Sequence, residues 1–118
     1  EILRGNLEKS RLKGGQIRQA DVFRCLADLD RTSANFDLVF ADPPYTHRPT
    51  DTDFARALLE NAHLPKLLAP GASLILECLA AKADFSPPAP WTLLRQRDYG
   101  TTRLVWLQWP QPEPSPAP

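Results

Sequence analysis

Apolar side chains recur at two spacings along the chain, and the alternation between them predicts its elements. Ile2, Leu3, Leu7 and Leu12 fall close to a helical stripe over Glu1 to Leu12, and Gly14-Gly15 then ends it. Gln16 to Ala20 reads as a short strand with Asp21 at its end, and Val22 to Asp30 returns to helical spacing with Val22, Leu26 and Leu29 on one side. After the polar link Thr32-Ser33-Ala34-Asn35 comes Phe36 to Ala41, a short apolar run of strand formers. A parallel strand covered on both faces has that composition. Helix, strand, helix, strand is the order that builds a doubly wound parallel sheet.

The second half continues the alternation and then changes it. Thr46 to Thr52 is polar, contains Pro49 and reads as a surface loop; Asp51 or Thr52 is placed to cap a helix over Asp53 to Ala62, with Phe54, Ala55, Leu58 and Leu59 at helical spacing. Leu64 to Gly71 is a short helical or turn segment that ends at Pro70-Gly71, and Ala72 to Leu79 is another apolar strand with Glu77 inside it. Beyond the rigid Ser86-Pro87-Pro88-Ala89-Pro90, the strand-like runs Trp91 to Tyr99 and Thr101 to Trp109 meet at Gly100, close enough to predict an antiparallel hairpin. Pro110 to Pro118 alternates proline with other residues. Polyproline II has three residues per turn, so this two-residue spacing spreads the rings over every face, and a disordered tail is expected.

Composition adds bounds. A chain of 118 residues makes one domain with a modest core. Fourteen basic and 14 acidic side chains cancel, which removes any global drive toward nucleic acid. Residues 1–24 nevertheless hold Arg4, Lys9, Arg11, Lys13, Arg18 and Arg24 against Glu1, Glu8 and Asp21, a local excess of 6 − 3 = +3 that suits a solvated helix face or a phosphate contact. Cys25 and Cys78 lie in apolar surroundings far apart in sequence, the pattern of free core thiols in a reducing cytoplasm, and no zinc or other metal site is expected. No apolar run reaches the roughly 18 residues of a membrane span. The chain has no methionine and opens inside a helical pattern, so residue 1 is expected not to be the natural start.

The candidate chemistry is at Asp42-Pro43-Pro44-Tyr45. Two prolines cannot donate to a ladder and hold φ near about −65°, so the strand must stop at Asp42. Open α/β sheets bind ligands beyond the carboxyl ends of such strands. An exocyclic amine on a base is a poor nucleophile because its lone pair is delocalised into the ring. Asp42 and the Pro43 carbonyl can each accept one N–H of such an amine, favouring a pyramidal nitrogen, and Tyr45 can stack on the base. The tetrapeptide resembles the fourth motif, Asp/Asn-Pro-Pro-Tyr/Phe, of the amino-methyltransferases that use S-adenosylmethionine.

The order strand, Asp-Pro-Pro-Tyr, helix, Pro-Gly, strand with Glu77, then Tyr99-Gly100-Thr101-Thr102, with Asn6-Leu7 and Asp21 upstream, resembles the RsmD family over residues 1–109. These are bacterial guanine-N2 methyltransferases of small-subunit ribosomal RNA. The resemblance implies a Rossmann-like class I methyltransferase fold, an α/β architecture with a mostly parallel sheet, a C-terminal antiparallel hairpin and the N-terminal strands missing. It implies catalytic roles for Asp42, Pro43, Pro44 and Tyr45, and S-adenosylmethionine contacts from Asp21, Val22, Phe23 and Asp42. Asp21 would accept from the cofactor's adenine amino group, although a helix N-cap explains it nearly as well. Phe23 suits adenine packing or the core, and Asn6 suits a structural hydrogen bond. Glu77 suits a crevice acid or a structural pair, Tyr99 and Thr101 suit turn packing or substrate placement, and His47-Arg48 suits solvent or an RNA phosphate.

Relatives precede these residues with a strand, a glycine-rich turn and a ribose-binding acid. None of Gly5, Gly14, Gly15, Gly71 and Gly100 forms such a loop. The expectation is therefore a partial methyltransferase domain over residues 1–109, from a cytoplasmic enzyme whose partner is ribosomal RNA or the small ribosomal subunit. An exposed central sheet edge would make the chain marginally stable or self-associating. Two other readings stay open: methylation of adenine N6 or a glutamine amide, and a non-catalytic RNA-binding or structural remnant.

Overall fold

A computed structural model describes residues 2–10, 13–44 and 53–111. Along them run α1 (Ile2–Ser10), α2 (Val22–Asp30), β1 (Phe36–Ala41), α3 (Phe54–Leu59), a 3-10 turn (Leu64–Leu67), β2 (Leu68–Leu79), β3 (Thr92–Tyr99) and β4 (Thr102–Gln108). The four strands form one mixed sheet in the order β1-β2-β4-β3. β1 and β2 are parallel, and β4 pairs antiparallel with both β2 and β3. The α/β sheet and the terminal hairpin are as expected, but among the described strands one pairing of three is parallel, because the hairpin contributes two of the four strands and joins the sheet through β4.

One face of the sheet carries the core. Leu74 and Leu76 of β2 and Val105 and Leu107 of β4 are fully buried beneath Leu58, Leu59, Leu64 and Trp91, with Phe23 and Leu26 of α2 packed alongside. Strand alternation places the next residues of β2 and β4 on the opposite face. There Leu104 and Trp106 are exposed, and Phe40 pairs through Ile75 with Trp106. Trp91 fastens the hairpin to α3: its Nε1 donates to the Leu59 carbonyl at 3.2 Å, and its ring meets Trp109 edge to face at 5.0 Å.

The structure corrects four further expectations. Gln16 to Ala20 joins no ladder; its residues other than Ile17 are exposed, and an extended segment becomes a strand only beside a partner, which no described strand supplies. β1 is an edge of the described sheet instead of a strand covered on both faces: Val39 and Ala41 face the core, while Phe36, Leu38 and Phe40 are exposed, Phe40 at 74%. The cap of α3 is Asp53, whose Oδ1 accepts from the Arg56 N–H at 3.0 Å. That helix stops at Leu59 because Asn61 Oδ1 accepts from His63 and Leu64 N–H groups and turns the chain. Finally, β2 begins at Leu68 and runs through Pro70-Gly71, where the register slips between Phe36↔Leu68 and Leu38↔Ser73. Gly71 has φ 77°, and its N–H reaches the Pro110 carbonyl at 3.3 Å, so the break is a bulge pinned to the end of β4.

Both cysteines are free. Among the described residues no helix is long and apolar enough to cross a membrane, and no cluster of His, Cys, Asp and Glu is arranged to hold a metal ion.

Candidate active site

The end of β1 positions the motif. Ala41 is paired with Leu76, so Asp42 and Glu77 follow at the same end of the parallel pair, and both line a hollow of about 200 Å³ with Phe40 and Leu104. Pro43 and Pro44 then end β1, as two residues without N–H donors must. The Pro-Pro turn separates two larger cavities, and both prolines line each of them.

The first cavity, of about 360 Å³, is apolar: Val22, Phe23 and Leu26 of α2 face Val39, Phe40 and Ala41 of β1, with Phe54, Leu58 and Leu64 behind and Asp42 at the rim. It brings together three of the four residues expected at the cofactor, Val22, Phe23 and Asp42. The fourth, Asp21, is the N-cap of α2, where Oδ2 accepts from the Arg24 N–H at 3.1 Å. The second cavity, of about 380 Å³, is the more polar of the two, although most of its wall is apolar. Asp53 of the α3 cap, Glu77 and Cys78 of β2, and the segment Leu79 to Ser86 surround it, with Arg103 of β4 in its wall. Burial pushes the Cys78 thiol up, so the neutral form faces this space.

Tyr45, His47 and Arg48 lie outside the described residues, as do Asp51 and Thr52. Asn6 is exposed on α1. Tyr99 is exposed at the hairpin with the Arg97 guanidinium 5.4 Å from its ring centre, and Thr101 uses its carbonyl to accept from Ala80 N–H at 2.8 Å. Tyr99 lines a shallow hollow on the open face of the sheet, apart from both motif cavities.

Sequence reasoning passed over Arg103. Its side chain is 4% exposed; Nε donates to Asp98 Oδ1 at 2.7 Å and Nη2 to Asp98 Oδ2 at 3.1 Å. Nη1 donates to the Ala83 carbonyl at 2.8 Å and Nη2 to that of Ala81 at 2.7 Å. The signal was its parity: Arg103 shares the inward set of Val105 and Leu107, where a charge must have a purpose. The hydrogen bond from Arg103 holds the Asp98 carboxyl below the usual carboxylate range against the opposing effect of desolvation.

Asp42-Pro43-Pro44 thus ends a strand between two cavities, and the likeness to known proteins reaches well beyond this tetrapeptide. The model of the family described as conserved hypothetical protein 95 covers residues 1–108. The chain belongs to this family, the RsmD methyltransferases. Solved structures that share its fold include three of particular use. Escherichia coli yhhF, provisionally a methyltransferase, superposes with TM-score 0.66 at 22% identity over 93% of this chain and 56% of its own. The ribosomal RNA methyltransferase aviRa of Streptomyces viridochromogenes gives 0.56 at 28% identity over 91% of this chain and 44% of its own. SMU.776, in complex with S-adenosylhomocysteine, gives 0.65 at 15% identity over 90% of this chain and 35% of its own. The fold is thus that of the Rossmann-like methyltransferases, and the chain spans about half the length of the first RsmD-type structures it matches. None of the curated proteins matches the sequence.

Proposed function

We propose that this chain is the part of an S-adenosylmethionine-dependent RNA guanine-N2 methyltransferase that binds the cofactor's adenine and the target base. The observation that carries the reading is the placement of Asp42-Pro43-Pro44 at the end of β1, with an apolar cavity on one side and a more polar one on the other. The apolar cavity fits a planar heterocycle in size and surface. Val22, Phe23 and Leu26 would hold the adenine, and Asp21 would accept from its amino group with the oxygen not capping α2. When bound, S-adenosylmethionine supplies an electrophilic methyl group on a cationic sulfur.

The chain's own residues then orient the acceptor. Asp42 and the Pro43 carbonyl accept the two N–H bonds of the target amine, holding its lone pair toward the methyl donor, and Tyr45 stacks on the base. This is catalysis by orientation and placed charge, and the proton leaves the amine during or after transfer. A base within RNA reaches the pocket unpaired or flipped. Guanine presents N1–H and the N2 amine as adjacent donors, and Asp53 and Asp84, each with one carboxylate oxygen already held by the Arg56 N–H or by Gln96 Nε2, line the second cavity, which is the ground for preferring guanine over adenine. The ribosomal RNA activity of aviRa supports RNA as the substrate.

The test pairs calorimetric titration of S-adenosylmethionine with nucleoside mass spectrometry of small-subunit ribosomal RNA incubated with the chain, run beside a longer family member such as yhhF. Cofactor binding is expected of the chain, and N2-methylguanosine once a segment carrying the glycine-rich turn is supplied ahead of it. Asp42→Ala should lower transfer by about a hundredfold or more. N6-methyladenosine as product would overturn the guanine assignment. RNA binding by this chain without cofactor binding would move it to a non-catalytic, RNA-binding role.

A further inference from the structure

The segment joining β2 to β3 is exposed at residues 81–84 and at Ser86, yet it is bound along its length to the hairpin. The Ala80 N–H donates to the Thr101 carbonyl at 2.8 Å. Arg103 donates to the carbonyls of Ala81 and Ala83 at 2.7 and 2.8 Å. Gln96 of β3 completes the set: its Nε2 donates to Asp84 Oδ1 at 3.1 Å and its Oε1 accepts from the Phe85 N–H at 2.9 Å. An exposed connection between strands normally tolerates motion, and a buried guanidinium carries a large desolvation cost. Here one is retained at an inward position of β4, anchored through Asp98 and aimed at a loop.

That loop is the outer wall of the more polar cavity, with Pro43 and Pro44 across from it. We propose that Arg103 and Gln96 are positioning residues that preset the 80–86 segment as a wall of the acceptor-base pocket. The inference rests on the reading of that cavity as the place of the target base. Each nitrogen of the Arg103 guanidinium already donates to Asp98, Ala81 or Ala83, so it acts through the shape of the wall and not by touching the base. A wall fixed in advance lowers the ordering cost of base binding. The apolar cavity shares only the two prolines with this one, so cofactor binding is independent of the clamp.

The test uses the full chain, with guanosine 5′-monophosphate as acceptor probe and S-adenosylhomocysteine as cofactor probe. Affinities are followed by NMR shifts and calorimetry, and amide hydrogen exchange reads the wall. Arg103→Lys keeps the charge and loses the planar fork; Gln96→Ala leaves the buried ion pair untouched and guards against a variant that fails to fold. Both should weaken nucleotide binding by about tenfold, with less than about a twofold change for S-adenosylhomocysteine. Both should also speed exchange at amides of residues 80–86. Unchanged nucleotide affinity in both variants would overturn the inference, as would parallel loss of both probes, which marks a general structural role. Failure of the unmodified chain to bind the nucleotide while it binds S-adenosylhomocysteine would sink the acceptor pocket and this inference but leave the cofactor reading standing. Binding of neither probe would remove both.

Discussion

Asp42 and Arg103 show how differently two charged residues declare themselves. Asp42 precedes two prolines at the end of an apolar run, and each neighbour restricts the backbone so strongly that its position at a strand terminus was readable from the sequence. Arg103 stands among Thr101, Thr102 and Leu104 with only its parity with Val105 and Leu107 to mark it, because its partners Asp98, Ala81 and Ala83 are supplied by the hairpin and by the preceding loop. The pair also makes a pH prediction. Asp98 has a native carboxyl pKa lowered chiefly by the Arg103 hydrogen bond, so its contribution to stability is complete above the unfolded carboxylate value of about 4. It is lost as pH falls from there through the lower native value. Urea titrations followed by circular dichroism should therefore show stability falling as pH drops below about 4, and Asp98→Asn should make that fall smaller. A second acid-sensitive pair lies at Asp30, whose carboxyl is lowered first by the hydrogen bond from His63 Nδ1 at 2.8 Å and also by Lys66.

At the scale of elements, local signals located the pieces and tertiary contacts set their limits. The β3–β4 hairpin was legible because Gly100, with φ 61°, marks a turn between two strand-like runs. The start of β2 was not, since Pro70-Gly71 reads locally as a stop, and only pairing of Leu68 with Phe36 and of Gly71 with Pro110 carries the strand past it. Gln16 to Ala20 failed in the opposite sense, with strand composition and no partner. The segments that hold the sheet face are leucine-rich, and their cost of truncation follows from burial. Leu76 is at 0% exposure in the middle of the core, so Leu76→Ala should destabilise the fold by about 2–5 kcal/mol, readable as a shift in the urea midpoint at constant slope.

For the whole molecule, the sheet's two faces decide its behaviour. One face is covered by α2, α3 and the 3-10 turn, while the other presents Leu38, Phe40, Leu104 and Trp106, and β1 is an edge of the described sheet beside them. An apolar edge strand is a template for pairing with another chain. Sedimentation velocity over a concentration range is expected to show self-association of this chain, and Phe40→Lys, which places a charge on the exposed edge without touching the core, should suppress it. A monomer at every concentration would contradict that expectation. The apolar runs, proline pairs and glycines determined by themselves the type and order of most elements, the hairpin and the Asp42-Pro43-Pro44 terminus, because these are consequences of backbone sterics and side-chain periodicity within a few residues. Tertiary structure alone decided that β1 is an edge of the described sheet, that Pro43 and Pro44 divide an apolar from a more polar cavity, and that Arg103 and Gln96 hold the wall of the latter. Those outcomes depend on which strands lie side by side, and contacts between residues 20 or more positions apart, such as Ala83 with Arg103, leave no trace in local pattern.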